Sequence, residues 1–220
     1  SLSFNSLWSS IPGGITMPRG FKASGIKAGL KPSGRPDLAL LVAPEGAVCA
    51  GMFTQSLVRA SCIDICVERL QKNSGSARAV LINSGQANAC TGERGLLDSL
   101  RATKALADRL GLLEDEILIC STGVIGVPIP IDRLISGIDL LVQELSNKGG
   151  SAAANAILTT DLVEKQIAFE AYLDGQRVRI AGMAKGSGMI HPNMATMLAY
   201  ISCDVGLPAD VWIPMVNRVV

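Results

Sequence analysis

Ala184-Lys185-Gly186-Ser187-Gly188-Met189-Ile190-His191-Pro192-Asn193-Met194-Ala195-Thr196-Met197-Leu198-Ala199 is the stretch on which the fold and the chemistry turn. A glycine-rich turn runs into a small residue, a threonine and then an apolar strand. Glycine's backbone freedom lets a side-chain hydroxyl approach the carbonyl that precedes it. Thr196 Oγ1 could attack the Ala195 carbonyl, move the acyl group from nitrogen to oxygen and, after ester hydrolysis, leave Thr196 as a new amino terminus. The freed α-amine has a reference pKa of about 7.7–8.0, so it accepts a proton at neutral pH where an amide does not. Thr196 would then be nucleophile and base in one residue. The competing reading is a threonine that merely opens a β-branched strand, and the motif alone leaves the two even.

Working outward, the Asp174-Gly175 pair lies between residues 166–173 and 176–183, both of strand type, and predicts a hairpin. Further upstream, residues 152–158 predict a short helix ending at Thr159-Thr160-Asp161. Leu134, Ile138, Leu141 and Leu145 mark one helix, and Leu96, Leu100, Ala107 and Leu110 another, by their three-four spacing. Residues 38–43 and 47–54 read as two strands paired across Pro44-Glu45-Gly46; residues 77–83 and 116–120 read as two more, each feeding a polar loop. The first thirty-odd residues hold too many prolines and glycines for a long helix and read as a winding entry segment. Pro208-Ala209-Asp210 starts a helix whose apolar pattern runs to Val220 with no stop signal, so the polypeptide is expected to continue. Strands and helices mix without a regular βαβ rhythm, which predicts α+β layering.

Composition narrows the function. The 220 residues carry 20 basic and 19 acidic side chains, a net charge of +1, so no positive field invites nucleic acid. No run approaches the ~18 consecutive apolar residues of a membrane span. The six cysteines show no CxxC pair and there is a single histidine, so no metal site is expected. Cys62 and Cys66 share a helical spacing, and the cysteines read as small buried hydrophobes in a reducing, cytoplasmic setting. His191, between Ile190 and Pro192, has no acidic residue nearby to orient it as a triad base. In Lys185-Gly186-Ser187-Gly188 the lysine precedes the glycines, the reverse of a phosphate-binding P-loop.

The 184–199 block resembles the ArgJ family, the ornithine acetyltransferases (glutamate N-acetyltransferases) of arginine biosynthesis. The likeness extends to Gly14-Ile15-Thr16 through Gly20-Phe21-Lys22-Ala23-Ser24-Gly25-Ile26-Lys27, to Asn83-Ser84-Gly85-Gln86-Ala87-Asn88-Ala89, to Ser121-Thr122-Gly123-Val124-Ile125-Gly126 and to Thr159-Thr160-Asp161. Gln86 replaces the family's usual asparagine, and Phe53-Thr54-Gln55-Ser56 replaces a Phe-Thr-x-Asn pattern.

The resemblance implies a layered α/β/β/α fold with mixed sheets, shared with self-cleaving aminopeptidases. By position, Thr196 matches the nucleophile, Ala195–Thr196 the self-cleavage bond, Thr122 and Gly123 the oxyanion-stabilising pair, and Thr159 and Lys185 substrate-binding positions. Residues 1–195 correspond to an α-chain-like domain and residues 196–220 to the start of a β-chain-like one. In the family that second chain extends further and supplies a glutamate and C-terminal polar residues to the pocket. The implied reaction takes an acetyl group from N-acetylornithine, through an acetyl-Thr196 ester, to glutamate, giving ornithine and N-acetylglutamate. No metal or dissociable cofactor is implied, although some members also accept acetyl-CoA as co-substrate. The α and β chains are expected to stay associated, as a heterotetramer. The rivals are a threonine-nucleophile aminopeptidase or amidase of the same fold, and an unprocessed inert half that only assembles.

Overall fold

The computed structural model describes residues 7–53, 59–186 and 197–219. Two four-stranded sheets form its frame. The first consists of β1 (Ser9–Ser10), β6 (Lys165–Leu173), β7 (Gln176–Lys185) and β8 (Leu198–Cys203), adjacent in that order and all antiparallel. The second consists of β2 (Lys22–Ile26), β3 (Leu38–Val42), β4 (Ala79–Gln86) and β5 (Ile117–Val124); it is mixed, because β4 and β5 run parallel. The parallel pair needs a crossover, and α2 (Gly92–Leu110) supplies it. The remaining helices are α1 (Ser61–Lys72), α3 (Ile131–Gln143), α4 (Gly150–Ala156) and α5 (Ala209–Val219).

Period-two patterning sorts the side chains of the mixed sheet to its two faces. Leu38, Leu40, Leu81, Ile117 and Ile119 face Leu106, Ile138 and Leu141 of the outer helices. Ala39, Leu41 and Ile82 turn the other way, toward Met183 of the antiparallel sheet. Ala153, Ala154 and Ala156 of α4 join this inter-sheet layer. Their small size lets the helix lie close: a Cβ on Gly25 would stand 2.1 Å from the Ala152 carbonyl oxygen. The outer face of the antiparallel sheet is apolar and open, with Ile167 and Ile201 on either side of Gly182 and both more than half exposed. The described residues therefore build an α+β stack of helices on a mixed sheet on a second sheet.

The hairpin is present as expected, and Asp174 and Gly175 both adopt positive φ, as a tight primed turn requires. Three expectations change. Residues 47–53 form no strand; the partners of β3 are β2 and β4. β2 sits inside the glycine-rich entry segment, because Gly25 there serves close approach to α4 rather than a turn. Residues 121–124 continue β5, and residues 84–86 continue β4, instead of starting loops, since the two stretches pair residue by residue.

Helix α1 protects the free edge of β5. Cys66 Sγ donates to the Ile119 carbonyl at 3.1 Å, and Arg69 Nη1 donates to the Ile117 carbonyl at 2.8 Å. One helical turn and two strand residues advance by similar lengths, roughly 6 Å. One face of the helix can therefore satisfy alternate edge carbonyls, which removes a row of acceptors open to foreign strands.

Candidate functional site

Asn83, Ser84, Gly85 and Gln86 lie opposite Ser121, Thr122, Gly123 and Val124 where the two parallel strands end. Crevices at the carboxyl ends of parallel strands are where open α/β sheets place ligands. Gly85 and Gly123 have φ of 119° and 129°, outside the range of L side chains. They also touch: a Cβ on Gly123 would stand 2.3 Å from the Gly85 carbonyl carbon. Two glycines in register thus let the strand ends close together and leave the Thr122 side chain at the mouth of the inter-sheet layer. Asn83 tightens the same end, donating to the Gln86 carbonyl at 3.0 Å and accepting from Ser121 Oγ at 2.6 Å.

Across the gap, the last residue of β7 meets this end. Lys185 Nζ donates to Thr122 Oγ1 at 2.8 Å, and the two residues are 2% and 1% exposed. Burial pushes the Lys185 ammonium below the ordinary lysine value, against the pull of Asp161, while Lys165 pushes it down further. A lysine ammonium can hold a carboxylate by a charge-assisted hydrogen bond.

Asp161 is buried next to it. Both its carboxylate oxygens accept the Gly186 N–H, at 3.1 and 3.3 Å, and Lys165 Nζ donates to Oδ2. Burial raises the Asp161 carboxyl, but the bonds from Lys165 and the Gly186 amide outweigh it and leave the group below its ordinary value. Thr159 is half-buried two residues upstream. The adjoining Leu158 carbonyl accepts Lys31 Nζ at 2.5 Å, and the same amine donates to the Pro36 carbonyl at 2.9 Å. Burial lowers Lys31 to about 8, with Asp37 opposing and Arg35 and Lys185 assisting. Asp37 in turn accepts three backbone amides, of Ala28, Leu30 and Lys31, fixing the loop that carries that lysine.

The structure thus brings together Thr122, Gly123 and Lys185 and sets Thr159 on the segment that leads to Asp161. Ala195, Thr196 and His191 lie outside the described residues. The described residue Leu198 pairs directly with Lys185, however. Asp161 and Lys31 were given no role by the motif reading. No local pattern marks them, since Lys31 lies between Lys27 and Arg35 and Asp161 is followed closely by Glu164 and Lys165. Among the described residues no cluster could hold a metal ion, and no helix is long and apolar enough to cross a membrane.

The model of the ArgJ family matches residues 22–220. The chain belongs to the ArgJ family. A relative from Prochlorococcus marinus strain MIT 9313, named arginine biosynthesis bifunctional protein ArgJ, is 69% identical over all of this chain and 52% of its own length. The chain therefore spans about half the length of the curated ArgJ proteins it matches. Among solved structures, the Bacillus halodurans arginine biosynthesis bifunctional protein ArgJ superposes with TM-score 0.78 at 38% identity, covering 86% of this chain and 98% of that one. Ornithine acetyltransferase from Mycobacterium tuberculosis, complexed with ornithine, superposes with TM-score 0.77 at 38% identity, covering 86% and 100%. The α+β architecture with two stacked sheets is thus that of the ArgJ family.

Proposed function

We propose that the protein is a self-processing acetyltransferase of arginine biosynthesis, moving an acetyl group from N-acetylornithine to glutamate through an ester on Thr196. The observation that carries this reading is the buried Lys185 ammonium on the Thr122 hydroxyl, with Leu198 paired to Lys185. That arrangement sets a lysine ammonium, a hydroxyl and the glycine of a strand end beside Leu198, and it supports reading the ammonium as a carboxylate receptor.

In the first step Thr196 Oγ1 attacks the Ala195 carbonyl. The C–N bond breaks, and water then hydrolyses the ester to a carboxylate on Ala195 and an α-amine on Thr196. In the transfer, that amine takes the hydroxyl proton as Oγ1 attacks the acetyl carbonyl of N-acetylornithine. Thr122 and the Gly123 backbone stabilise the oxygen on which charge develops, a contribution realised only as the tetrahedral species forms. The proton goes to the leaving nitrogen, ornithine departs, and the α-amine of glutamate attacks the ester to give N-acetylglutamate and free Thr196. Lys185 binds the α-carboxylate of either amino acid, and Thr159 contributes to the same subsite. The chemistry asks for no metal or cofactor, and acetyl-CoA is a second donor to be tried.

Two features support division of the chain. The solved chains are matched over 98–100% of their length, whereas the curated proteins are about twice as long as this chain. β8 also pairs with β7 over six residues from Lys185↔Leu198 to Ile180↔Cys203, so a cut at Ala195–Thr196 would leave the α-chain-like and β-chain-like pieces joined by a sheet. Association of such pairs into a heterotetramer belongs to the same proposal. The test is ornithine release from N-acetylornithine by the full-length protein, with and without glutamate. The account predicts release that depends on glutamate and is stoichiometric with N-acetylglutamate; release at the same rate without glutamate would make the enzyme a hydrolase.

A further inference from the structure

Gly186 is the last described residue before the segment that carries the scissile bond, and both of its backbone polar groups are held by one ion pair. Asp161 accepts its N–H on both carboxylate oxygens, while Lys165 Nζ donates to its carbonyl at 2.7 Å. Lys165 also donates to Asp161 Oδ2, so the three groups form a closed clamp at the end of β7. The Gly186 φ of 134° lies in a region that L side chains rarely adopt, so glycine suits the residue that the clamp grips.

Asp161 is 4% exposed. A carboxylate buried only for structure is a poor investment, because well-packed apolar residues at such positions are often as stable or more so. This one instead sits between the segment of Thr159 and the junction of Lys185 and Gly186. We propose that Asp161 is a positioning residue for substrate capture, gripping the end of β7 through the Gly186 amide so that the Lys185 ammonium is presented at Thr122. The inference rests on the proposed role of Lys185 as carboxylate receptor and adds what orients it.

The charged groups acting on Lys185 are Asp161, which favours its protonated form, and Lys165 and Lys31, which oppose it. Asp161 and Lys165 therefore act on the same lysine with opposite sign although they share one clamp. Those opposite signs follow from charge alone, so ornithine affinity is the readout that tests positioning.

The test uses the full-length protein with ornithine as the binding probe, measured by calorimetry, and follows the Lys185 titration by ¹³Cε-lysine NMR. Asp161→Asn is expected to weaken ornithine binding about tenfold, the scale of losing a charge-assisted bond, and to lower the Lys185 midpoint. Lys165→Met is expected to raise that midpoint, and as a half-exposed position it keeps the test open should Asp161→Asn fail to fold. Midpoints that stay put or move together, or unchanged ornithine affinity in Asp161→Asn, overturn the inference. Lys185→Met separates the two levels. If it weakens binding while Asp161→Asn does not, only the positioning role fails; if it binds as tightly as the parent, the receptor role of Lys185 fails and the positioning role falls with it.

Discussion

In a Gly123→Ala variant the added Cβ would stand 2.3 Å from the Gly85 carbonyl carbon, 2.5 Å from its oxygen and 2.8 Å from Gln86 N. All three are backbone atoms of the parallel neighbour, so no side chain can swing aside. The φ of 129° adds a conformational cost of about 1–3 kcal/mol for an L residue. Forcing the strands apart adds about 1–3 kcal/mol more, as overpacking does in other cores. The sum, roughly 2–6 kcal/mol, is a large part of the 5–15 kcal/mol that holds a typical domain folded. Gly126 provides the control: its φ of 83° is also positive, but nothing lies within 4 Å of its added Cβ. Gly126→Ala should therefore cost only about 1 kcal/mol. Denaturant unfolding of the two full-length variants measures the difference, and ornithine binding reads its effect on the 2.8 Å Lys185–Thr122 bond across the gap. Equal losses of stability in the two variants would refute the claim that glycine at 123 is imposed by strand contact.

Two further outcomes follow from the titrating groups. Lys31 titrates at about 8 in the fold against about 10.4 unfolded, so the unfolded chain binds more protons between those values and the Lys31 contribution to stability grows as pH rises through that window. The stability difference between the parent and Lys31→Met, from urea titrations at pH 7.5 and 9.5, should shift in the parent's favour; a shift the other way would show that the amine is not desolvated. Burial pushes the Cys62 thiol up to about 12 and the Cys49 thiol up to about 11, whereas Cys90 is exposed. Alkylation by iodoacetamide at pH 8 should mark Cys90 first and reach Cys62 only on unfolding, as peptide mass mapping would show; early labelling of Cys62 would contradict the packing of α1 on β5.

The hairpin was legible because Asp174-Gly175 is a local signal, complete within two residues. Helix α3 was legible with its face, Leu134, Ile138 and Leu141 being buried, whereas α2 was legible as a helix but buries Ser99, Ala102, Thr103 and Leu106 and leaves Leu96 exposed, because its small polar residues take the packed side. The partners of β3 were not legible, since pairing with β2 and β4 depends on sheet order and no local pattern encodes it. The glycines misled where they mattered most. Gly25 read as a helix breaker and Gly123 as part of a loop, yet each lies in a strand that another backbone approaches closely. At the site, Thr122, Gly123, Thr159 and Lys185 were found by likeness to a family, and the structure then brought Thr122 and Lys185 into contact. Asp161 was in view within Thr159-Thr160-Asp161, but its hold on Gly186 crosses 25 residues and shows only in three dimensions.

Mass spectrometry of the purified full-length protein tests the central claim most directly. The account predicts two polypeptides that co-purify, the second beginning with the free α-amine of Thr196, and one uncut polypeptide without transfer activity when Thr196 is replaced by alanine. A single continuous polypeptide that transfers acetyl groups to glutamate at full rate would contradict it.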